Sequence, residues 1–342
     1  MSLDRRAIYS EISGCLVQKT NVFFRPLCNF NLYDGHMKIL VTGGAGFIGS
    51  HVVEHFQGKA DVRVLDNLRS GFEHNLEGLQ HQFIRGSILD RQTVREAVAG
   101  VDYVFHLAAM ISVPESTGDP IGCTEINTTG TLYVLEEAAR AGVKKLILSS
   151  SAAIYGDNPV TPKVESMVPE PKSPYAITKL DGEYYCKMFS DSGRLPTACL
   201  RYFNVFGPRQ DPNSQYAAAV PIFIDRAVTN QPITIHGDGE QTRDFIFVKD
   251  VAAANAFFAT QSAAVGVFNV GYGQHIRIKE LAANICRLTD SRSEINHTAE
   301  RAGDVKHSMA AIDKLNAAGF SPEGSFAAGL RATIDALQAK RR

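Results

Sequence analysis

Ile39-Leu40-Val41-Thr42-Gly43-Gly44-Ala45-Gly46-Phe47-Ile48-Gly49 decides the fold. An apolar, β-branched run meets three glycines in the spacing G-x-x-G-x-x-G (Gly43, Gly46, Gly49) and continues into a helical pattern. Glycines permit a tight turn and a close backbone approach, and the free N–H groups of a helix N-terminus suit a pyrophosphate. Such a pattern is weak evidence alone. Here a second apolar run ends in Asp66, 23 residues after Gly43, where a carboxylate is expected to hold a ribose diol. Asp66 would repel a 2′-phosphate, so the pair points to NAD over NADP, with Arg69 as the nearby group that argues the other way.

Outward from this motif the chain alternates. Apolar runs at 38–42, 61–66, 82–85, 103–107, 145–149 and 197–202 read as parallel strands, and helical patterns at 93–98, 128–141 and 176–190 fall between them. The alternation predicts an α/β fold with a doubly wound parallel sheet of Rossmann type. Past residue 205 the rhythm breaks into loop chemistry at Gly207-Pro208-Arg209 and Asp211-Pro212-Asn213. The expected organisation is an NAD-binding domain over 37–205 and a smaller α+β substrate lobe over 206–342, with some chain returning to the first domain. Residues 1–36 carry Arg5, Arg6, Lys19 and Arg25 without a sustained apolar core. They read as an extension before the fold, with an organellar presequence as the alternative to that reading, and not as a secretory signal.

Composition narrows the function classes. The 342 residues are 44% hydrophobic and 21% charged, with a formal net charge of −1. No global field favours nucleic acid or an anionic membrane, so an anionic substrate must meet a few local Arg or Lys residues. Cys15, Cys28, Cys123, Cys186, Cys199 and Cys286 are scattered without a CxxC pair, which predicts reduced thiols in the cytoplasm. The ten histidines form no H-E-x-x-H cluster, so no metal is expected, and His106 reads as a packed histidine near the cofactor. No run reaches the roughly 18 apolar residues of a membrane span.

The chemistry is carried by Tyr175-Ala176-Ile177-Thr178-Lys179, which sets Tyr and Lys on one helical face. Ser149-Ser150-Ser151 lies at a strand end, where α/β proteins place reactive groups. A tyrosine with a pKa of about 10 is a poor base unless a neighbouring cation stabilises its phenolate, and Lys179 and a positive nicotinamide ring are the candidates. A serine hydroxyl can then hold or relay the substrate proton.

Taken together, TGGAGFIG (42–49), Asp66-Asn67-Leu68, His106-Leu107-Ala108-Ala109, Asn127-Thr128-Thr129-Gly130-Thr131, SSSAAIYG (149–156), SPYAITK (173–179), RYFNVFGPRQDP (201–212), GDGEQTRDF (237–245) and Arg301-Ala302-Gly303-Asp304 resemble the extended short-chain dehydrogenase/reductases, and within them the nucleotide-sugar 4-epimerases. The resemblance implies Ser151, Tyr175 and Lys179 as catalytic residues. It implies NAD contacts from Gly43, Gly46, Phe47, Ile48, Gly49, Asp66, Asn67, Ser87, Ile88, Leu107, Ala108, Ala109 and Asn127, with Tyr175 and Lys179. On the substrate side it implies Arg243 and Arg301 on a UDP-sugar diphosphate with Asn204 beside them, and Asp304 near the uridine ribose. His236 is expected near the uracil. Ser112, Ser151, Tyr175 and Ser308 are expected around the sugar, where a small Ser308 hints at room for an N-acetyl group. A homodimer through helices near 128–141 and 176–190 is also implied.

The resembling 4,6-dehydratases carry an Asp-Glu pair directly after the catalytic hydroxyl, and the decarboxylases a Glu at the second of these positions. This chain has Ala152-Ala153. The exclusion leaves reversible C4 epimerisation of UDP-glucose, and of UDP-N-acetylglucosamine, as the expected reaction. A uronate 4-epimerase, a simple reductase and a catalytically silent NAD-sensing protein stay open beside it. Three positions depart from the pattern: Ser87 replaces the usual Asp, Glu115 stands where a basic residue is frequent, and Arg277 occupies a small hydroxyl position.

Overall fold

The computed structural model describes residues 37–212, 218–300 and 305–339. The expectations for the 1–36 extension, Cys15, Cys28, Arg301 and Asp304 lie outside the described residues.

Six strands follow the sequence pattern: β1 (Met37–Thr42), β2 (Ala60–Asp66), β3 (Gln82–Arg85), β4 (Tyr103–His106), β5 (Lys145–Ser151) and β6 (Thr197–Tyr202). A seventh, Gly266–Val270, comes from far along the chain and pairs with β6 at the sheet edge. The spatial order is Gly266–Val270, β6, β5, β4, β1, β2, β3, with every pair parallel. Parallel strands are covered on both faces, which is why β1 and β6 read as continuous apolar runs and not as alternation. Side chains of period two then feed two cores. Ile39 and Val41 join Val52, Phe56, Ile246 and Phe258 on one face. Leu40 joins Val94, Val134, Leu135, Leu146 and Phe189 on the other.

The sheet runs outward in both directions from β1 and β4, which makes the gap above their C-terminal ends the switch point where ligands bind in open α/β sheets. Helices Phe47–His55, Arg91–Val98, Gly130–Arg140 and Pro174–Asp191 connect the strands. Two boundaries differ from the sequence reading. β5 continues to Ser151 because Ser150 and Ser151 stay in register with Arg201 and Tyr202. The helix expected from 128 is preceded by a π-helical turn, Glu125–Thr129. A third apolar cluster, including Phe223, Ile235, Phe245, Leu281 and Ile334, lies in the C-terminal segment. Its strands are short pairs: Asn204–Phe206 with Phe245–Phe247, Thr242–Arg243 with Ile276–Arg277, and Ile233–His236 with Ile295–Thr298. Among the described residues, no helix is long and apolar enough to cross a membrane.

His106 braces the switch point. Its Nδ1 lies 2.7 Å from Thr42 Oγ1 and its Nε2 2.9 Å from Thr131 Oγ1. Thr131 Oγ1 donates to the Asn127 carbonyl, so it accepts from His106 Nε2–H, and Nδ1 accepts from Thr42. That network uses a neutral ring, and burial lowers the His106 pKa from 6.5 to about 3. The unfolded chain therefore binds a proton between these values that the native ring refuses. The resulting stability is complete above pH 6.5 and is lost as pH falls toward 3. His55, lowered to about 4 by burial, acts in the same sense. Asp244, raised to about 6 by burial, acts in the opposite one. Comparison with His106→Gln isolates the first contribution. Between pH 7 and pH 5 the unfolding free energy of the native protein, from urea titration, should fall by about 2 kcal/mol more than that of the variant. Parallel pH profiles would show that His106 is not held neutral.

Candidate functional site

The end of β1 turns at Gly43, which has φ of +70°. A Cβ there would lie 2.7 Å from the Ala108 nitrogen, so β1 and the chain after β4 close on a residue without a side chain. A Cβ on Gly49 would stand 2.1 Å from the Gly43 carbonyl oxygen, which lets helix Phe47–His55 start directly against the turn. Gly46 caps that helix without a side-chain hydrogen bond, leaving its N-terminus the anion-favouring end of a nine-residue helix.

Asp66 closes β2 beside this turn. Its Oδ2 accepts from Ala45 N at 2.9 Å and its Oδ1 from Leu68 N at 2.8 Å. Burial raises the carboxyl pKa, and the two backbone donors oppose that shift. Asn75 tightens the same corner by donating to the Ala45 carbonyl at 2.9 Å.

These groups open onto a cleft of about 520 Å³. Its walls include Gly43, Gly46, Phe47, Ile48, Gly49, Asp66, Asn67, Ser87, Ile88, Leu107, Ala108 and Ala109, with Ser151, Tyr175 and Lys179 at the same cleft. Ser87 is held by its own turn, where its Oγ accepts from Leu89 N at 3.2 Å.

Helix Pro174–Asp191 begins one residue before the tyrosine. Ser173 caps it, with Oγ accepting from Ala176 N at 3.2 Å, and Pro174 takes the first position, where a missing N–H costs nothing. The Tyr175 N–H donates to Ser116 Oγ at 3.2 Å. One turn on, Lys179 Nζ lies 5.8 Å from the Tyr175 ring centroid and donates to the Ser149 carbonyl at 2.8 Å. Ser151 lines the same cleft as Tyr175, and its Oγ accepts from Ala153 N at 3.1 Å. Burial pushes the Tyr175 phenol up, with the Ser151 hydroxyl opposing it. Burial lowers Lys179 to about 8. The expected lowering of the phenol by the lysine is thus not what the protein alone provides. Desolvation dominates both groups, and the ammonium is engaged by a carbonyl.

Asn127, expected on the cofactor, is not on the cleft wall. Asn127 itself is buried, while its neighbour Ile126 on the same π-helical turn lines the cleft. Its Oδ1 accepts from Met110 N at 2.7 Å, and its Nδ2 donates to Met110 O and Thr178 Oγ1, both at 3.0 Å. It ties the loop after β4 to helix Pro174–Asp191. Of the expected substrate residues, Ser151 and Tyr175 are on this wall, whereas Ser112, Asn204, His236, Arg243 and Ser308 are not among its lining residues. Ser112 caps helix Val113–Gly118 by accepting from Glu115 N. Asn204 Nδ2 donates to the Asp244 carbonyl at 3.1 Å, and His236 Nδ1 lies 3.0 Å from Thr298 Oγ1. Arg243 Nη1 donates to the Thr242 carbonyl at 2.9 Å, while Ser308 N donates to that same carbonyl at 3.2 Å, so these two are neighbours.

Several wall residues carry no sequence signal of their own. Asn75, Arg209 and Gln210 line the cleft. Asn75 Oδ1 and Gln210 Oε1 are buried without a partner among the described residues. Buried acceptors are normally satisfied, so their place on this wall fits a ligand that brings hydroxyls or ordered water. With the glycine turn and Asp66, this set suits a dinucleotide. Gln210 falls within RYFNVFGPRQDP, whereas Asn75 stands in no motif. Arg277, unexplained in the sequence, has a clear role. It precedes helix Ile278–Thr289, with its N–H donating to Glu280 Oε2 at 3.3 Å and its guanidinium to Glu280 Oε1 at 2.6 Å. It replaces the hydroxyl of a capping box by an ion pair.

Comparison with known proteins agrees with this geometry. A family model described as the NAD dependent epimerase/dehydratase family matches residues 39–271. The chain is 35% identical to a UDP-glucose 4-epimerase of Mycolicibacterium smegmatis, over 89% of this chain and 99% of that protein. Among solved structures it is similar to a UDP-N-acetylglucosamine 4-epimerase from Methanobrevibacter ruminantium, in complex with UDP-N-acetylmuramic acid (41% identity, TM-score 0.85, 89% of this chain and 99% of the other). It is also similar to the UDP-glucose 4-epimerase of Thermotoga maritima with UDP-glucose (38% identity, TM-score 0.85, 90% and 100%). The glycine turn, the ribose carboxylate and the Ser–Tyr–Lys cluster therefore belong to an NAD-dependent enzyme of the extended short-chain dehydrogenase/reductase type, a member of the NAD dependent epimerase/dehydratase family.

Proposed function

We propose that the enzyme interconverts UDP-hexoses epimeric at C4, taking UDP-glucose and UDP-galactose and also the UDP-N-acetylhexosamine pair. One observation carries the reading. Ser151 and Tyr175 both line the cofactor cleft, and the two residues after Ser151 are Ala152 and Ala153, which offer no acid or base. Relatives named as dehydratases and as a decarboxylase share the fold, and their later steps need proton-transfer groups that two methyl side chains cannot supply. The relatives named as 4-epimerases support the remaining outcome.

The turn Gly43–Gly49 and the N-terminus of helix Phe47–His55 would hold the NAD pyrophosphate, and Asp66 the adenosine ribose. When bound, NAD supplies a hydride acceptor at C4 that gives the hydride back, and its oxidised ring adds positive charge beside the phenol. Tyr175 takes the C4 hydroxyl proton as the 4-keto sugar forms and returns it after the sugar has turned its other face. Ser151 shares that proton with Tyr175. Lys179 keeps the Tyr175 face of the helix against β5 through the Ser149 carbonyl and places its charge near the phenol. On the substrate, Arg243 and Arg301 would meet the diphosphate with Asn204, Asp304 the ribose and His236 the uracil, while Ser112 and Ser308 border the sugar. The division into a cofactor domain over 37–205 and a substrate lobe over 206–342 belongs to the same proposal. Free buried thiols at Cys123, Cys186 and Cys199 support a cytoplasmic setting.

A homodimer is part of the reading. Helix Pro174–Asp191 leaves Ile177, Tyr184 and Met188 exposed at spacings of one helical stripe. Apolar side chains at such spacing suit a second copy of the same helix. Tyr184→Glu/Met188→Glu should therefore sediment as a monomer while the unaltered protein sediments as a dimer. Equal masses for the two would remove the interface.

Incubation with UDP-glucose, UDP-N-acetylglucosamine and UDP-glucuronate in turn, with NAD⁺ and no reductant, followed by proton NMR, tests the reaction. A galacto-configured product without net NADH is expected from the first two. Conversion of the glucuronate alone would make this a uronate epimerase, and release of carbon dioxide or a deoxy-keto sugar would overturn the argument from Ala152 and Ala153. Tyr175→Phe should retain NAD and UDP-sugar binding yet lose turnover by about a hundredfold or more, because only the proton transfer is removed.

A further inference from the structure

The loop after Asp66 brings an arginine to the cofactor cleft. Arg69 N donates to Asn67 Oδ1 at 3.1 Å, which fixes the turn, and Arg69 is part of the cleft wall. Its Nη2 pairs with Glu115 Oε1 at 2.8 Å. Glu115 comes from another element, helix Val113–Gly118. That helix is capped at its own start and anchored to the helix that carries Tyr175. Ser112 Oγ accepts from the Glu115 N–H at 3.1 Å, and fully buried Ser116 accepts from the Tyr175 N–H. The carboxylate that receives Arg69 therefore stands on a support tied to helix Pro174–Asp191.

A guanidinium three residues past a ribose-binding carboxylate is well suited to a 2′-phosphate, since its planar fork matches phosphate oxygens. Arg69 taken singly argues for NADP. Asp66 argues against it. Glu115 tips the balance by engaging the guanidinium. The side chains are 44% and 42% exposed, so the pair contributes little to stability. Its effect lies in the charge that a nucleotide meets.

We propose that Glu115 is a specificity-determining residue that acts through Arg69, keeping the guanidinium paired so that the site takes NAD in preference to NADP. The inference rests on the assignment of Asp66 to the adenosine ribose.

The test reads bound nucleotide and not turnover. The full-length protein, Glu115→Gln and Glu115→Gln/Arg69→Met are brought to exchange equilibrium with equal NAD⁺ and NADP⁺, desalted and denatured. The released nucleotides are then separated and quantified. Glu115→Gln should raise the NADP/NAD ratio roughly tenfold, the scale of one charge-assisted hydrogen bond, and the added Arg69→Met should return it to the starting value. An unchanged ratio in Glu115→Gln overturns the proposal, as does a rise that survives the loss of Arg69. Asp66→Ala separates the two layers: unaltered NAD binding in that variant would remove the ribose assignment itself, and the proposal with it.

Discussion

A buried ion pair underlies the whole active-site end of the sheet. Arg201 on β6 and Glu183 on helix Pro174–Asp191 meet at 2.7 Å with 4% and 3% of their side chains exposed. Burial works against the guanidinium charge, and the Glu183 carboxylate more than offsets it. The remaining valences are filled. Ser150 donates to Glu183, Arg201 donates to the Tyr155 hydroxyl at 2.8 Å, and that hydroxyl donates to Asn269 at 2.7 Å. A pair of this kind is near break-even against apolar residues of the same shape, but removing one partner strands a charge at a cost of about 3–5 kcal/mol. Its value is geometric. β5, β6, the edge strand and helix Pro174–Asp191 have one arrangement in which both charges are satisfied. Ser151 follows Ser150 directly, and Tyr175 lies on the helix that carries Glu183, so the reacting groups inherit that arrangement.

The site above this anchor is held by opposing demands. Desolvation raises the Tyr175 phenol and lowers the Lys179 ammonium, disfavouring the charged form of each. An exposed tyrosine and lysine would titrate more readily but would be screened by water, and a developing charge would meet a weak response. The backbone supplies what burial withholds. The Tyr175 N–H is fixed by Ser116, the Lys179 ammonium by the Ser149 carbonyl, and Thr178 between them by Asn127. Each hydrogen bond places a group without neutralising the acid–base atom itself.

This division explains what sequence could and could not reveal. The glycine turn, Asp66 and the Tyr175–Lys179 spacing were legible because local backbone geometry dictates them: a positive φ at Gly43, a strand end, one helical turn. The π-helical turn that carries Asn127 left no mark in the sequence, and that turn decides which way the amide points. The Arg201–Glu183–Ser150 network joins residues far apart in the chain, and no periodicity marks it. Strand pairs as short as Thr242–Arg243 with Ile276–Arg277 hold two residues each, too few for a period to show.

The departures from the family pattern make the same point in reverse. Read singly, Arg277 and Glu115 are substitutions at positions where something else is usual. In the structure each has a counterpart that gives it sense. Arg277 loses the hydroxyl of a cap and gains Glu280 and Glu240, the second at 3.2 Å. Glu115 reverses a charge and meets Arg69. An unusual residue is therefore informative through its partner. The pairs at Arg277 tie the start of helix Ile278–Thr289 to Glu280 on that helix and to Glu240 before Thr242–Arg243. A pair that joins the loop after Asp66 to a helix bonded to the Tyr175 N–H, as at Glu115, connects two separate elements, and on it rests the proposed nucleotide preference.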